Sequence, residues 1–184
     1  MMKATGLTKN FLIATPSLID DNFSKSVIYL YEYSKKGAMG VIINKPMDIC
    51  LGNVFEHLGI TTKDEKIFNY PVLMGGPVAQ EHGLILYHKL PAKKESSSKI
   101  SVSASKEMLK RIARDQGPAD FIVALGYAGW QGGQLEKEIA RNDWLIAPFE
   151  YDILFNTPIE KRWQAAAALV GIDINRLSSH IGHA

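Results

Sequence analysis

Apolar positions along this chain recur in two rhythms, and the changes from one to the other mark out its elements. Phe11 to Ala14 is a continuous apolar run closed by Pro16, a first strand. Ser26 to Glu32 and Met39 to Ile43 are rich in β-branched and aromatic residues. The polar Tyr33 to Gly37 stretch between them predicts a β-hairpin with a longer loop. Pro46 pushes Lys45 out of helical geometry, so Asn44-Lys45-Pro46 reads as a turn. The rhythm then becomes helical: Asp48 is placed to cap a helix carrying Leu51, Val54, Phe55 and Leu58, and Gly59 stops it. Val72 to Met74 and Leu84 to Tyr87 read as strands on either side of Gly75-Gly76-Pro77.

Pro91 to Lys99, with three lysines and three serines, is expected to be a mobile loop. Ile100 to Ser103 alternates as a strand. Ser105 then caps a helix with Met108, Leu109, Ile112 and Ala113 on one face. The most distinctive stretch follows. A hydrophobic run, Phe121 to Leu125, enters a glycine-rich segment, Gly126 to Gly133, and the apolar Trp144 to Ala147 leaves it. This reads as strand, glycine-rich turn, short helix, strand. Thr157-Pro158-Ile159-Glu160 has the form of a capping box with proline in the first helical position. The helix it starts is expected to bury Ile159, Trp163, Ala166, Ala167 and Val170 and to end at Gly171. Asn175 to Ala184 adds one short helix. Strands with irregularly inserted helices predict an α+β fold with a mixed sheet, formed by one domain over residues 1–184 with the 91–99 loop joining two halves of that sheet.

Composition narrows the function classes more than it selects one. The chain has 184 residues, 46% of them hydrophobic and 22% charged, with a net charge of +2. That balance fits a soluble globular domain and is too mild to mark a nucleic-acid binder. The single cysteine, Cys50, excludes an internal disulfide and a thiol metal cluster, and the expected setting is reducing and cytoplasmic. The N-terminal apolar run is too short for a signal peptide, and no segment approaches the roughly 18 apolar residues of a membrane span.

No catalytic constellation stands out. The five histidines are His57, His82, His88, His180 and His183; the last two are three residues apart but have no acidic or thiol partner beside them. Cys50 near a helix start is an incidental thiol rather than a nucleophile, and there is no Gly-x-Ser-x-Gly elbow. The glycine segments lack both the Walker lysine and dinucleotide spacing. Gly129 to Gly133 opens a helix that could hold an anion, but tight turning accounts for the same glycines. Lys106, Lys110 and Arg114 form a basic edge with Arg111 nearby. Glu107 is positioned to pair with Lys110 and Arg111, and Asp115 with Arg111, so a salt-bridged solvent face is the better reading than a DNA reader. No cofactor and no metal are expected.

Taken together, several motifs resemble those of the AlgH/YqgE family of bacterial proteins. They are Phe11 to Pro16, Ser26 to Tyr29, Gly37 to Pro46, Gly75-Gly76-Pro77-Val78, Leu125 to Trp130, Gly133 to Glu136 with Glu138-Ile139, Asn142 with Trp144-Leu145, Thr157-Pro158 with Arg162-Trp163, and Gly182-His183-Ala184. They run in family order over nearly the whole chain. The chain departs from the family pattern at Lys25, where arginine is usual, at Glu81 and His82, where an acid and arginine are usual, and at Asn156, where aspartate is usual. Lysine for arginine weakens a bidentate anion contact. Asparagine for aspartate argues against essential acid or base work at that position.

The resemblance implies a split mixed sheet curled into a barrel-like shape and flanked by helices. It carries a regulator-of-transcription label and implies no established activity. Two readings follow. The first is a non-catalytic regulatory binding protein that acts through a protein partner rather than by binding DNA directly. Its surface is the set of motif turns: Asn44, Lys45, Pro46, Gly75, Gly76, Pro77, Gly129 and Trp130 with Gln134, Glu136 and Arg162. The same glycines and prolines could serve only as corners of the fold. The second is a small-molecule binder or enzyme, and it predicts one apolar cleft where Asn44, Lys45, Gln134, Glu136 and Arg162 converge.

Overall fold

A computed structural model of the protein describes residues 6–89 and 99–179. The predicted 91–99 loop, except Lys99, lies outside these residues, as do His180, His183 and the Gly182-His183-Ala184 motif. The strands are β1 (Asn10–Ala14), β2 (Val27–Ser34), β3 (Gly37–Ile42), β4 (Pro46–Cys50), β5 (Pro71–Met74), β6 (Val78–Lys89), β7 (Lys99–Ser103), β8 (Phe121–Gln131) and β9 (Trp144–Pro148). The helices are α1 (Leu51–Leu58), α2 (Glu65–Phe68), α3 (Lys106–Ala113), α4 (Gln134–Ala140), α5 (Tyr151–Phe155), α6 (Arg162–Ala168) and α7 (Ile174–Ser179).

The nine strands form one mixed α+β sheet in the order β4-β5-β8-β3-β2-β1-β9, with β6 pairing β8 and β7. The two ends of this order, β4 and β9, do not meet, so the sheet is open and the expected barrel-like closure is corrected. Strands from both sides of residues 90–98 contribute to it.

β8 organises the sheet, and it differs most from the sequence expectation. The glycine-rich segment is not a turn: the strand continues from Phe121 to Gln131, and only Gly132 and Gly133 turn into α4. Residues 123–125 pair β5 in parallel and β6 antiparallel, while 128–131 pair β3. Gly126, with φ of 75°, lies between the two sections. Alternation reverses across it: Ile122 and Ala124 face one core cluster, whereas Ala128 and Trp130, equally spaced, face another. A left-handed residue makes that switch cheaply only as glycine.

Three clusters fill the two sides of the sheet. One is covered by α5, α6 and α7, and joins Phe11, Ile13, Tyr29 and Ala124 to Leu154, Ala166 and Ala167. The second packs Leu12, Ile28 and Leu30 against Leu135, Trp130 and Trp144. The third packs Val72, Ile85 and Val123 beneath Leu51 and Phe55 of α1 and Leu109 and Ile112 of α3.

Local differences from the sequence reading have identifiable causes. The β2–β3 hairpin is tighter than expected, since Ser34 pairs Gly37 and only two residues turn. Residues 46–50 form strand β4 against β5, so α1 starts after Cys50 and Asp48 does not cap it. Asn53 Oδ1 instead accepts from the Cys50 amide at 2.9 Å. Ser105 does cap α3, accepting from the Met108 amide. Thr157 caps no helix: its hydroxyl donates to the Asp152 carbonyl at 2.9 Å, and a 3-10 turn over Ile159–Lys161 precedes α6. Val170 is exposed rather than buried. Helices α2 and α5 are too short to leave a periodic signal.

Candidate functional site

The motif residues fall in two places and are largely consumed by the fold. At the first, Asn44 ties β2 to the turn after β3. Its Oδ1 accepts from the Val27 amide and its Nδ2 donates to the Lys25 carbonyl, both at 2.8 Å. Lys45 Nζ donates to the Asn22 carbonyl; burial pulls its pKa below the ordinary lysine value and nearby Asp20 pushes it back. Pro46 opens β4 opposite Leu73 and is exposed. Arg162 lies within the core, Nη1 donating to the Ile43 carbonyl at 2.6 Å and Nε to the Thr157 carbonyl at 3.0 Å. Burial lowers its pKa, with Tyr70 and Glu160 opposing.

Gly75 sits where β5 leaves β8 and β3 takes over: its amide donates to the Leu125 carbonyl and its carbonyl accepts from the Ile42 amide, both at 2.8 Å. A Cβ there would lie 2.3 Å from the Gly126 carbonyl oxygen, and one on Gly76 2.0 Å from the Tyr127 carbonyl carbon. Pro77 follows, half-buried.

The second place is α4 and its surroundings. Gly129 is exposed, and Trp130 is buried against Phe23 and Trp144. The indole N–H groups of Trp130 and Trp144 both donate to Glu138 Oε2, each at 2.9 Å, while Glu138 Oε1 accepts from Gln134 Nε2 at 2.9 Å. Glu136 accepts from the Tyr33 hydroxyl and thereby raises the tyrosine pKa. Glu138, absent from the candidate surface, is the carboxylate that holds both tryptophans.

A cavity with an apolar interior lies away from both places. Between α1, β6 and the start of α3 runs a groove of about 760 Å³. Its floor is Ile85, Val123 and Leu109, continued by the half-buried Ile49, Val54, Leu58 and Leu125. Asn53 and His57 stand along α1, Gln80, Glu81 and His82 along β6, and Ser105 and Lys106 at the start of α3. The β6 contribution has a structural cause. Register against β8 is broken between Val78 and Gly83, and Ala79 within the break has a φ of 49°. A bulge of this kind re-aims side chains at the expense of local strain. None of Asn44, Lys45, Gln134, Glu136 or Arg162 lines this groove. Its residues come from five elements, β4, α1, β6, α3 and β8; in the sequence His57 and His82 appear as histidines, Glu81 and His82 as departures from the family pattern, Ser105 as a cap and Lys106 on a basic edge, with no pattern that joins them.

Among the described residues, no group of three or more His, Cys, Asp or Glu side chains is placed to hold a metal ion. Among them, too, no helix is long and apolar enough to cross a membrane.

The AlgH-like (DUF179) family model matches residues 11–175. A UPF0301 protein of Coxiella burnetii is 54% identical over 184 residues, covering all of both chains. One from Thioalkalivibrio sulfidiphilus is 46% identical over 187 residues, again covering both completely. The solved structure of the AlgH protein from Pseudomonas aeruginosa has a TM-score of 0.78 and 36% identity, covering 100% of this chain and 99% of that one. The family model, the full-length relatives and the matching fold agree, and the chain belongs to the AlgH-like family.

Proposed function

We propose that this protein is a non-catalytic binding protein whose ligand, a small amphipathic molecule, occupies the groove between α1, β6 and α3. The observation that carries this is the groove itself. Its volume of about 760 Å³ falls within the roughly 300–1,000 Å³ of small-molecule sites, with an apolar floor and a few polar groups around the rim. The expected result is saturable binding of the neutral dye N-phenylnaphthylamine, read by fluorescence. Gly83 allows a clean test. A Cβ there meets only Leu125 Cδ2, at 3.8 Å, and the Ala124 carbonyl oxygen, at 4.0 Å. Gly83→Phe therefore plugs the groove without a backbone clash, and binding should weaken by about tenfold or more while the melting temperature moves by less than about 4 °C. Binding that Gly83→Phe leaves intact would refute the groove as the site.

A regulatory role, acting in the cytoplasm, would be exerted through a protein partner. The exposed Gly129, Gln134 and Glu136 around α4 are the part of the motif surface available to one. The basic helix supports indirect action: Lys110 pairs Glu107 at 2.7 Å, and Arg111 Nε donates to the Gln116 carbonyl at 3.2 Å rather than pairing Asp115. Titration with fluorescent duplex DNA should show weak binding that disappears as salt rises to physiological strength. Affinity that survives that salt and differs between sequences would make this protein a direct DNA reader.

A further inference from the structure

We propose that the groove selects an anionic amphiphile, a molecule with an apolar body and one acidic head group such as a carboxylate, sulfonate or phosphate ester. This rests on the groove being the ligand site and adds the sign of the head group. The floor supplies no partner for a polar ligand: Leu109, Ile85 and Val123 are buried hydrocarbon and Val54 and Leu58 extend it. Specificity therefore falls to the rim, where side chains able to donate a hydrogen bond to an acidic head group, one ammonium and two imidazoles, outnumber the single carboxylate. Lys106, His57 and His82 come from three different elements, against one carboxylate, Glu81. All four are exposed, so each can turn toward a bound molecule.

The neighbouring acid does not cancel Lys106. Glu107 is paired with Lys110, and Lys106 forms no salt bridge among the described residues. Glu81 makes the β6 side of the rim mixed in charge. The head group therefore belongs on the helical side, between Lys106 and His57, with the apolar body extending over Leu109 and Val123. A cationic amphiphile would meet one carboxylate and the repulsion of Lys106.

The test compares two dyes with the same aromatic skeleton: anilinonaphthalene sulfonate, which is anionic, and N-phenylnaphthylamine, which is neutral. The sulfonate should bind about fivefold tighter at low salt, with the advantage shrinking as salt rises. Lys106→Gln should weaken the sulfonate about threefold and leave the neutral dye unchanged, and Glu81→Gln should tighten the sulfonate about twofold. Both replacements are at exposed positions and leave the core intact. Equal affinities that are both lost in Gly83→Phe would overturn the anionic preference while upholding the groove. Binding of both dyes that Gly83→Phe leaves unchanged would overturn the groove itself. Should Gly83→Phe not fold, Gly83→Leu supplies the same arm, and the Lys106→Gln comparison decides the head group in either case.

Discussion

Gly76→Ala is expected to cost more than about 4 kcal/mol, enough to leave little folded protein at 25 °C. The new Cβ would lie 2.0 Å from the Tyr127 carbonyl carbon, 2.1 Å from its oxygen and 2.4 Å from the Ala128 amide nitrogen. All three are backbone atoms of the strand through which both sections of the sheet are paired. A flexible side chain could swing aside; a β8 peptide cannot move without disturbing Gly75, whose amide and carbonyl link Leu125 to Ile42 across the same corner. Gly133→Ala is the internal comparison. It also places a methyl group at a positive φ, 79°, but nothing lies within 4 Å. Its cost should be the roughly 1 kcal/mol of a left-handed alanine. Urea unfolding of the two variants separates collision from conformational preference. If Gly76→Ala unfolds within about 1 kcal/mol of Gly133→Ala, the β5–β8 corner relaxes and the glycine pair is not what shapes it.

This corner shows which parts of the fold were legible in the sequence. Apolar runs and periodicity located β1, the β2–β3 pair, α1, α3 and α6, because their buried residues follow a single local pattern. They failed in β8, where Gly126 reverses the alternation within one strand and a run of glycines looks like a turn. The glycines at 75, 76 and 126 serve close approach between strands remote in sequence, which no local pattern records. β4 was missed for a related reason: Pro46 to Cys50 is strand because Leu73 and Pro71 lie beside it, and the helical rhythm from Leu51 masks the boundary.

The candidate site was less legible, for a physical reason that separates motif from groove. Residues such as Asn44 and Arg162 stand out because backbone carbonyls and amides at distant positions need them, as the bonds to Val27, Lys25, Ile43 and Thr157 show. Satisfying buried backbone polar groups restricts a position tightly. A groove rim does not: Gln80, Glu81, His82 and Lys106 are exposed, with ordinary local sequence, and only the packing of α1 and α3 over β6 and β8 brings them to one rim. The Ala79 bulge is the nearest thing to a local sign, but it is a conformation and not a residue type.

Glu138→Ala should destabilise the protein by about 3 kcal/mol and change its tryptophan fluorescence, because one carboxylate serves two indoles. Oε2 accepts from both Trp130 and Trp144 at 2.9 Å, and Oε1 accepts from Gln134. The two tryptophans are 6% and 3% exposed, so neither N–H can turn to bulk water once its acceptor is gone. Each orphaned donor costs about 1–3 kcal/mol, and the two share one acceptor oxygen, which places the sum near 3 rather than at the upper bound. Glu138→Gln keeps the shape and one acceptor oxygen but turns the other end into a donor, so it should recover about half of the loss. The structural consequence extends beyond α4. Trp130 lies in the β3-paired section of β8 opposite Ala38, Trp144 begins β9, and Phe23 packs on both rings. The carboxylate thus joins the centre of the sheet to its edge strand through the helix between them. Chemical unfolding followed by tryptophan emission checks this directly. Full stability with unchanged emission in Glu138→Ala would mean that the indoles find other acceptors and that aromatic packing alone holds β9 in register.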